Sequence, residues 1–358
     1  MNLRKVRDWT THVKQRHRRV PLRRAIVLGM VLMATTTLML AQGSPKNRFS
    51  LNSRIGFNIS ADFKNLGGFP APTDPGPATN GVDHFYDDGF NRVDIRGSTS
   101  TNTFFWGYQN ASQVPGNDTI MMNSSASAAT GAIRDVGDDP QWGGEFSYIR
   151  QLGDNGVYRW GIEAAIGWAD LEFRENGTTT ANVTRTSDAY ALNGTTPPPP
   201  PYAGTFGGPG AEIGTSPTRT ISTIPNGAVT SGQYSLEAQA YTLRLGLHYE
   251  TPFNDWLMLQ FGGGFAGAYL DSEFSFTEST TLGGIGSVTR SGTASETDVV
   301  IGAYAGAGLT FYITERLTAV AAAQFQHLQD FTQQLAGKEA EVRFDQSIFV
   351  TVGVGFSF

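Results

Sequence analysis

From Phe49 onward, apolar and polar residues alternate with a period of two, the mark of strands with two unlike faces. In the first stretch the odd positions are Phe49, Leu51, Ile55, Phe57, Ile59, Ala61 and Phe63. The even positions are Ser50, Asn52, Arg54, Gly56, Asn58, Ser60 and Asp62. This predicts one strand of about 15 residues, far above the usual 5–6. Seven more such stretches follow, at about 142–152, 158–168, 241–249, 257–269, 299–313, 317–328 and 344–358. The stretch at 317–328 is the least clear, because alanine fills both of its faces.

A closed barrel can turn the apolar face of such strands inward, as soluble barrels do, or outward to lipid. Three features point to lipid. Charges of both signs sit on the polar faces, at Arg54, Glu145, Arg159, Glu163 and Arg244, with His248 beside them. Aromatics gather at strand ends: Trp142, Trp160, Trp168, Tyr241, Tyr249, Trp256 and Tyr269. From Trp160 to Trp168 a strand advances about 26 Å at ~3.3 Å per residue. Tilted by ~40°, that projects to roughly 20 Å, near the ~25 Å apolar band between aromatic girdles. Links between stretches alternate short and long, the long ones near 64–141, 174–235, 277–296 and 329–343. The expected fold is therefore all-β: a transmembrane antiparallel up-and-down β-barrel of eight strands, with long extracellular loops and both termini periplasmic. A ten-stranded alternative stays open, since 103–109 and 118–123 could pair around Pro115-Gly116. At six or seven residues each, however, they fall short of the 9–11 that a spanning strand needs.

The N-terminus supplies the address. Nine bases and one acid occupy the first 24 residues, followed by an apolar run over 25–41. Basic segment, short apolar core and small exit residues form the layout of an export signal, with cleavage expected after Gly43 or after Ala41. Residues 44–358 would then be the barrel. Without the export segment, 17 basic residues face 31 acidic ones, a formal net charge of −14 rather than the −6 of the whole chain. Such a surface disfavours nucleic acid. Zero cysteines exclude a disulfide framework and a lipid-modified N-terminal cysteine.

The strands, and above all the ending Val352-Gly353-Val354-Gly355-Phe356-Ser357-Phe358, resemble small bacterial outer-membrane barrels of the outer membrane protein A, X and W type. That resemblance implies a bacterial outer-membrane location. It also implies outer-membrane lipid as surroundings, and Phe356 and Phe358 as a signal to the barrel-assembly machinery during biogenesis. An eight-stranded barrel is just wide enough for side chains to fill. Arg54, Arg159 and Arg244 are thus expected to pair with Glu163, Glu145 or their neighbours and to plug the lumen. The expected role is structural or surface-interacting, through an unidentified extracellular ligand of the loops. Porin-like passive permeation of small solutes is the alternative, and apolar cargo, which would need an apolar inner pocket, ranks below it. A lipid- or peptide-modifying membrane enzyme is the least favoured reading, so an enzyme is not expected, nor any cofactor or metal. His84, near Asp83, Asp87 and Asp88, is the one His/carboxylate cluster in the sequence, and His327 stands in Gln326-His327-Leu328. Asp135, Asp138 and Asp139 read as a solvated acidic loop, and Pro197 to Pro201 as a stiff spacer.

Overall fold

The computed structural model describes residues 12–14, 46–74, 77–78, 81–96, 101–137 and 140–358. Apart from His12–Lys14, the expected export segment lies outside the described residues. Eight strands form the barrel: β1 (Asn47–Phe57), β2 (Gln141–Asp154), β3 (Arg159–Ala191), β4 (Thr218–Asn254), β5 (Leu257–Leu282), β6 (Gly286–Tyr312), β7 (Leu317–Leu328) and β8 (Ser347–Ser357). Each pairs antiparallel with its neighbour in sequence, and β8 pairs antiparallel with β1. At the seam, Asn47 N–H donates to Phe358 O at 3.2 Å and Phe358 N–H returns the bond to Asn47 O at 2.9 Å. Closure leaves no unpaired edge within the lower barrel, which lipid requires of any β structure it surrounds.

The two faces exchange chemistry along the strands. On β4, Leu243, Leu245 and Leu247 point outward and are exposed, while Thr242, Arg244 and His248 are buried inside. Beyond Tyr241 the side-chain phase is unchanged, but Tyr234, Leu236, Ala238 and Ala240 now fill the inside, with Gln233, Glu237 and Gln239 outside. On β3 the switch falls at Trp168: Ile162 and Ile166 face out below it, whereas Leu171 and Phe173 are buried above it and Asp170, Glu172 and Arg174 face out. On β5 it falls at Tyr269, above which Leu270, Phe274 and Phe276 are buried. Trp168, Tyr241, Tyr269 and Val299 are cross-strand neighbours and form one row. Below that row the apolar face meets lipid. Above it the wall stands in water and obeys the ordinary rule of an apolar inside.

Above the row the cylinder opens into two sheets. The outer halves of β3–β6 continue unbroken, but the remaining wall is interrupted, at Asn58 (φ 58°) after β1 and at Gly137 (φ 106°) before β2. The continuations Gly131–Val136, Ser60–Leu66, Lys338–Arg343 and Phe331–Leu335 pair in that order as a separate four-stranded sheet. Phe63, Leu66, Val342 and Phe331 pack with Phe173, Leu236 and Phe274 of the opposite sheet in one apolar core. The single strand expected over Phe49 to Phe63 is corrected accordingly. Asn58 in the left-handed region inverts the phase, so Ile59, Ala61 and Phe63 are buried inside, while Leu51 and Phe57 face outward. Phe344, expected on the lipid face with Ile348, is likewise turned into the core.

Strand also replaces much of the expected loops. The link expected over 174–235 is strand as far as Ala191 and again from Thr218. At ~3.3 Å per residue, β3 therefore runs roughly 75 Å beyond Trp168. Within 64–141, Thr119–Ser127 adds to the outer edge of β3, pairing with Val183 to Ala191. Trp106–Tyr108 pairs with Gly89–Asn91 and with Tyr202–Ala203. The segments that could have made a ten-stranded barrel thus build an outer head, whose core joins Tyr86, Trp106, Ile120, Met122, Tyr190 and Ile213.

Candidate functional site in the barrel lumen

The even residues of β4 point into the barrel and bring Thr242, Arg244, His248 and Glu250 to its axis, all buried. Arg244 holds Glu145 of β2 at 2.8 Å and Glu163 of β3 at 3.1 Å. His248 lies 3.5 Å from Glu163 and 3.1 Å from Glu250, and Arg48 of β1 reaches Glu250 at 2.5 Å. Six ionisable side chains from four strands thereby form one connected chain across the lumen. Inward glycines make the room. A Cβ on Gly246 would lie 2.4 Å from the Tyr304 hydroxyl, whose ring sits 4.6 Å from the Arg244 guanidinium carbon.

Two arginines differ from the expected pairing. Among the described residues Arg54 meets no carboxylate at pairing distance: it donates to Thr242 Oγ1 at 2.9 Å and lies 3.6 Å over the Phe349 ring. It stands near the top of the polar interior, where apolar residues begin, and an aromatic face is the negative surface on offer. Arg159 sits at the periplasmic mouth, where it pairs with Asp154 at 3.2 Å and donates to the Tyr312 hydroxyl at 3.3 Å. Arg48 and Glu250 were missed, although each lies on the inward parity one residue beyond an alternating stretch. Extending the alternation by one position at each end would have found them.

Below the cluster, a vestibule of ≈ 460 Å³ opens at the periplasmic mouth, lined by Lys46, Arg48, Arg159, His248, Glu250 and Glu315 among others. Beside Arg244 and Glu163 the remaining gap is only ≈ 40 Å³. Above it, Phe349, Tyr304, Val300, Ala266, Ala268 and Ala240 merge with the extracellular core. The apolar interior that the inward positions were not expected to supply is therefore present, but side chains fill it.

The seven aromatics singled out in the sequence lie on the outward face. Trp142, Trp160, Trp168, Tyr249 and Trp256 are exposed, and Tyr241 and Tyr269 are half-buried beside each other, with ring centroids 6.5 Å apart. Phe356 and Phe358 also face outward, and Phe358 stacks on Phe49 of β1 at 5.3 Å.

The other candidates are dispersed. His84 Nδ1 lies 3.0 Å from Asp74, while Asp83 binds Arg92 and Asp88 binds Asn123. His327 faces outward with Nδ1 2.6 Å from Asp345 O. Asp135 pairs with Arg343, and Asp138 and Asp139 lie outside the described residues. In the head, Asp188 takes two hydrogen bonds from Arg219, at 2.8 and 2.7 Å, and one from the Tyr86 hydroxyl at 2.6 Å. Burial raises the Asp188 carboxyl, but these donors outweigh it and hold its pKa below the usual range. In the sandwich, Lys338 pairs with buried Glu278 at 2.8 Å and also donates to Gly67 O at 2.6 Å.

No protein-family model matches the chain, and no curated protein does. Among solved structures, OprG, an outer membrane protein from Pseudomonas aeruginosa, aligns at 12% identity over 89% of this chain and 99% of its own, with a TM-score of 0.32. The outer membrane protease OmpT from Escherichia coli aligns at 12% identity over 90% and 100%, with a TM-score of 0.30. Ail, the attachment invasion locus protein of Yersinia pestis, in complex with the heparin analogue sucrose octasulfate, aligns at 9% identity over 87% and 99%, with a TM-score of 0.28. The architecture rests on the chain's own closed ladder and apolar belt.

Proposed function

We propose that this chain is an integral protein of the bacterial outer membrane whose barrel does not conduct and whose work is done outside. In this reading the barrel anchors an extracellular two-sheet tower and its head for structural or surface interaction. One observation carries it: the Arg48–Glu250–His248–Glu163–Arg244–Glu145 chain crosses the lumen directly beneath a packed apolar core. A hydrated solute would have to break buried ion pairs and then enter a packed, mainly apolar core whose few buried polar groups are already bonded to one another. Outer-membrane lipid suits the outward leucines and aromatics, and the assembly machinery would meet Phe356 and Phe358 on the exposed face of the last strand.

Porin-like passage of small solutes is the second reading. Its support is the periplasmic vestibule, which reaches inward as far as His248 and Glu250. Reconstitution into planar bilayers separates the two. The closed barrel is expected to give no unitary current steps in simple salts, and reproducible open channels would overturn it.

A further inference from the structure

The outer sheet formed by β3–β6 has two edges, and the chain treats them differently. On the β3 edge, Thr119–Ser127 is laid down as an added strand over Val183 to Ala191. On the β6 edge, the ladder to β7 ends at Gly302 and Leu328, after which Gln329 N–H donates to Ile301 O at 3.1 Å. Phe331–Leu335 then leaves for the other sheet. The side chain of Gln333 bridges back, donating to Ala294 O at 2.9 Å. From Gly286 to Val299, β6 thus keeps its bonds to β5 but has no further barrel strand on its other side among the described residues.

Backbone direction alternates along a strand. The carbonyl of Ile301 faces the open side, so Val299, Thr297, Ser295 and Thr293 present their N–H and C=O groups there too. Their side chains lie outward and are exposed. An open row of this kind is a template for another strand. One short segment is seated on it: His12–Lys14 pairs in parallel with Ser291 to Thr293.

Charge selects among possible occupants. Ser295 lies in a cross-strand row with Glu273, Glu237 and Glu172, and Thr297 lies in a row with Asp271, Gln239 and Asp170. Arg174 bridges Glu172 and Glu237 at the far end of the first row, but toward β6 the two rows carry Glu273 and Asp271, and the hydroxyl residues on β6 place no base at their end. Glu296 and Asp298 on β6 itself are exposed as well. A strand with bases at alternate positions would complete these rows when added beside β6.

We propose that the edge of β6 that lacks a barrel neighbour, from about Thr293 to Val299, docks an extended basic polypeptide from a partner, added as a parallel strand. This rests on the surface-interaction reading above and gives that surface a place and a partner chemistry. Backbone bonds would supply the attachment and alternate bases the selectivity, the usual division in strand addition.

The probe is a fluorescent peptide of residues 8–19 of this chain, in which Lys14, Arg16 and Arg18 fall at alternate positions. It is titrated against the processed protein in lipid nanodiscs at low salt. Saturable binding is expected, weakened at least tenfold by Thr293→Pro, which removes an edge N–H at a position where proline is tolerated. Should that variant fail to fold, the double reversal Asp271→Lys with Glu273→Lys, on exposed side chains, is expected to weaken binding by a similar factor. Absence of saturation would overturn the proposal, as would binding that neither variant changes. Crosslinking of two barrels through Ser295→Cys would overturn it in favour of a second copy as occupant. Failed peptide binding with a silent lumen removes this proposal alone, whereas a conducting lumen removes the functional reading beneath it.

Discussion

Arg244 and Arg174 make the same arrangement in two different solvents. Each lies between two glutamates, Arg244 between Glu145 and Glu163, and Arg174 between Glu172 and Glu237, with contacts of 2.7–3.1 Å. The first set is buried in the lumen and the second is more than half exposed on the outer face of the tower. The difference teaches what the membrane row does to the molecule. Below it, polar groups are confined inside and must satisfy one another. Above it, water serves the same groups and the inside is free to become apolar.

The largest expected effect follows from that pair. Arg244→Met leaves two carboxylates facing each other without their shared cation, which should cost on the order of 3–5 kcal/mol. Arg174→Met should change stability far less, because exposed pairs are screened by water. Urea unfolding midpoints in lipid vesicles measure both, and equal losses would erase the distinction. Next, Phe274→Ala in the sandwich core should cost about 3–5 kcal/mol. Phe265, 80% exposed on the lipid face, should lose far less on the same change. A third contrast needs only one strand. Leu245→Arg places a charge in the apolar belt at about 2–4 kcal/mol, whereas Gln239→Arg, above the row, should be nearly neutral.

The smallest effect is one of pH and concerns the head. The Asp188 carboxyl is held below its ordinary pKa by Arg219 and Tyr86, against the opposing effect of its burial. A depressed carboxylate contributes stability that is full above its unfolded value near ~4 and is lost as pH falls through the folded value. Hydrogen exchange in the head should therefore rise below about pH 4. Asp188→Asn should flatten that dependence and leave the barrel ladder unchanged.

How much was legible in the sequence follows the same boundary. Leu243, Leu245 and Leu247 alternate cleanly with Arg244 and His248, so the lipid-facing wall and its polar interior could be read directly. At the membrane row the apolar set changes parity. Ala238, Ala240, Tyr241 and Leu243 then read as the end of an alternation, although the strand continues through them. Further out, threonine and serine on the exposed face leave little contrast, so 174–191 and 218–235 looked like loop. Elsewhere the alternation was deceptive. Phe49 to Phe63 keeps one parity in sequence, yet Asn58 inverts the faces through its backbone conformation, which residue type alone does not announce. The lumen network was half visible: Arg244 with Glu145 and Glu163 followed from parity, while the partners of Arg54 and Arg159 depended on height within the barrel.

The absence of native cysteine makes the central claim directly measurable. Single cysteines placed from Gln233 to Tyr249 on β4 can be probed with a membrane-impermeant maleimide in intact outer membranes. Labelling is expected at 233, 235, 237 and 239, and protection at 234, 236, 238 and 240. Protection is also expected at 243, 245 and 247, where lipid covers the outward face. Labelling of the inward positions from 234 down to 244 would mean a continuous water path through the tower and barrel, and would contradict the exchange of faces on which the closed lumen depends.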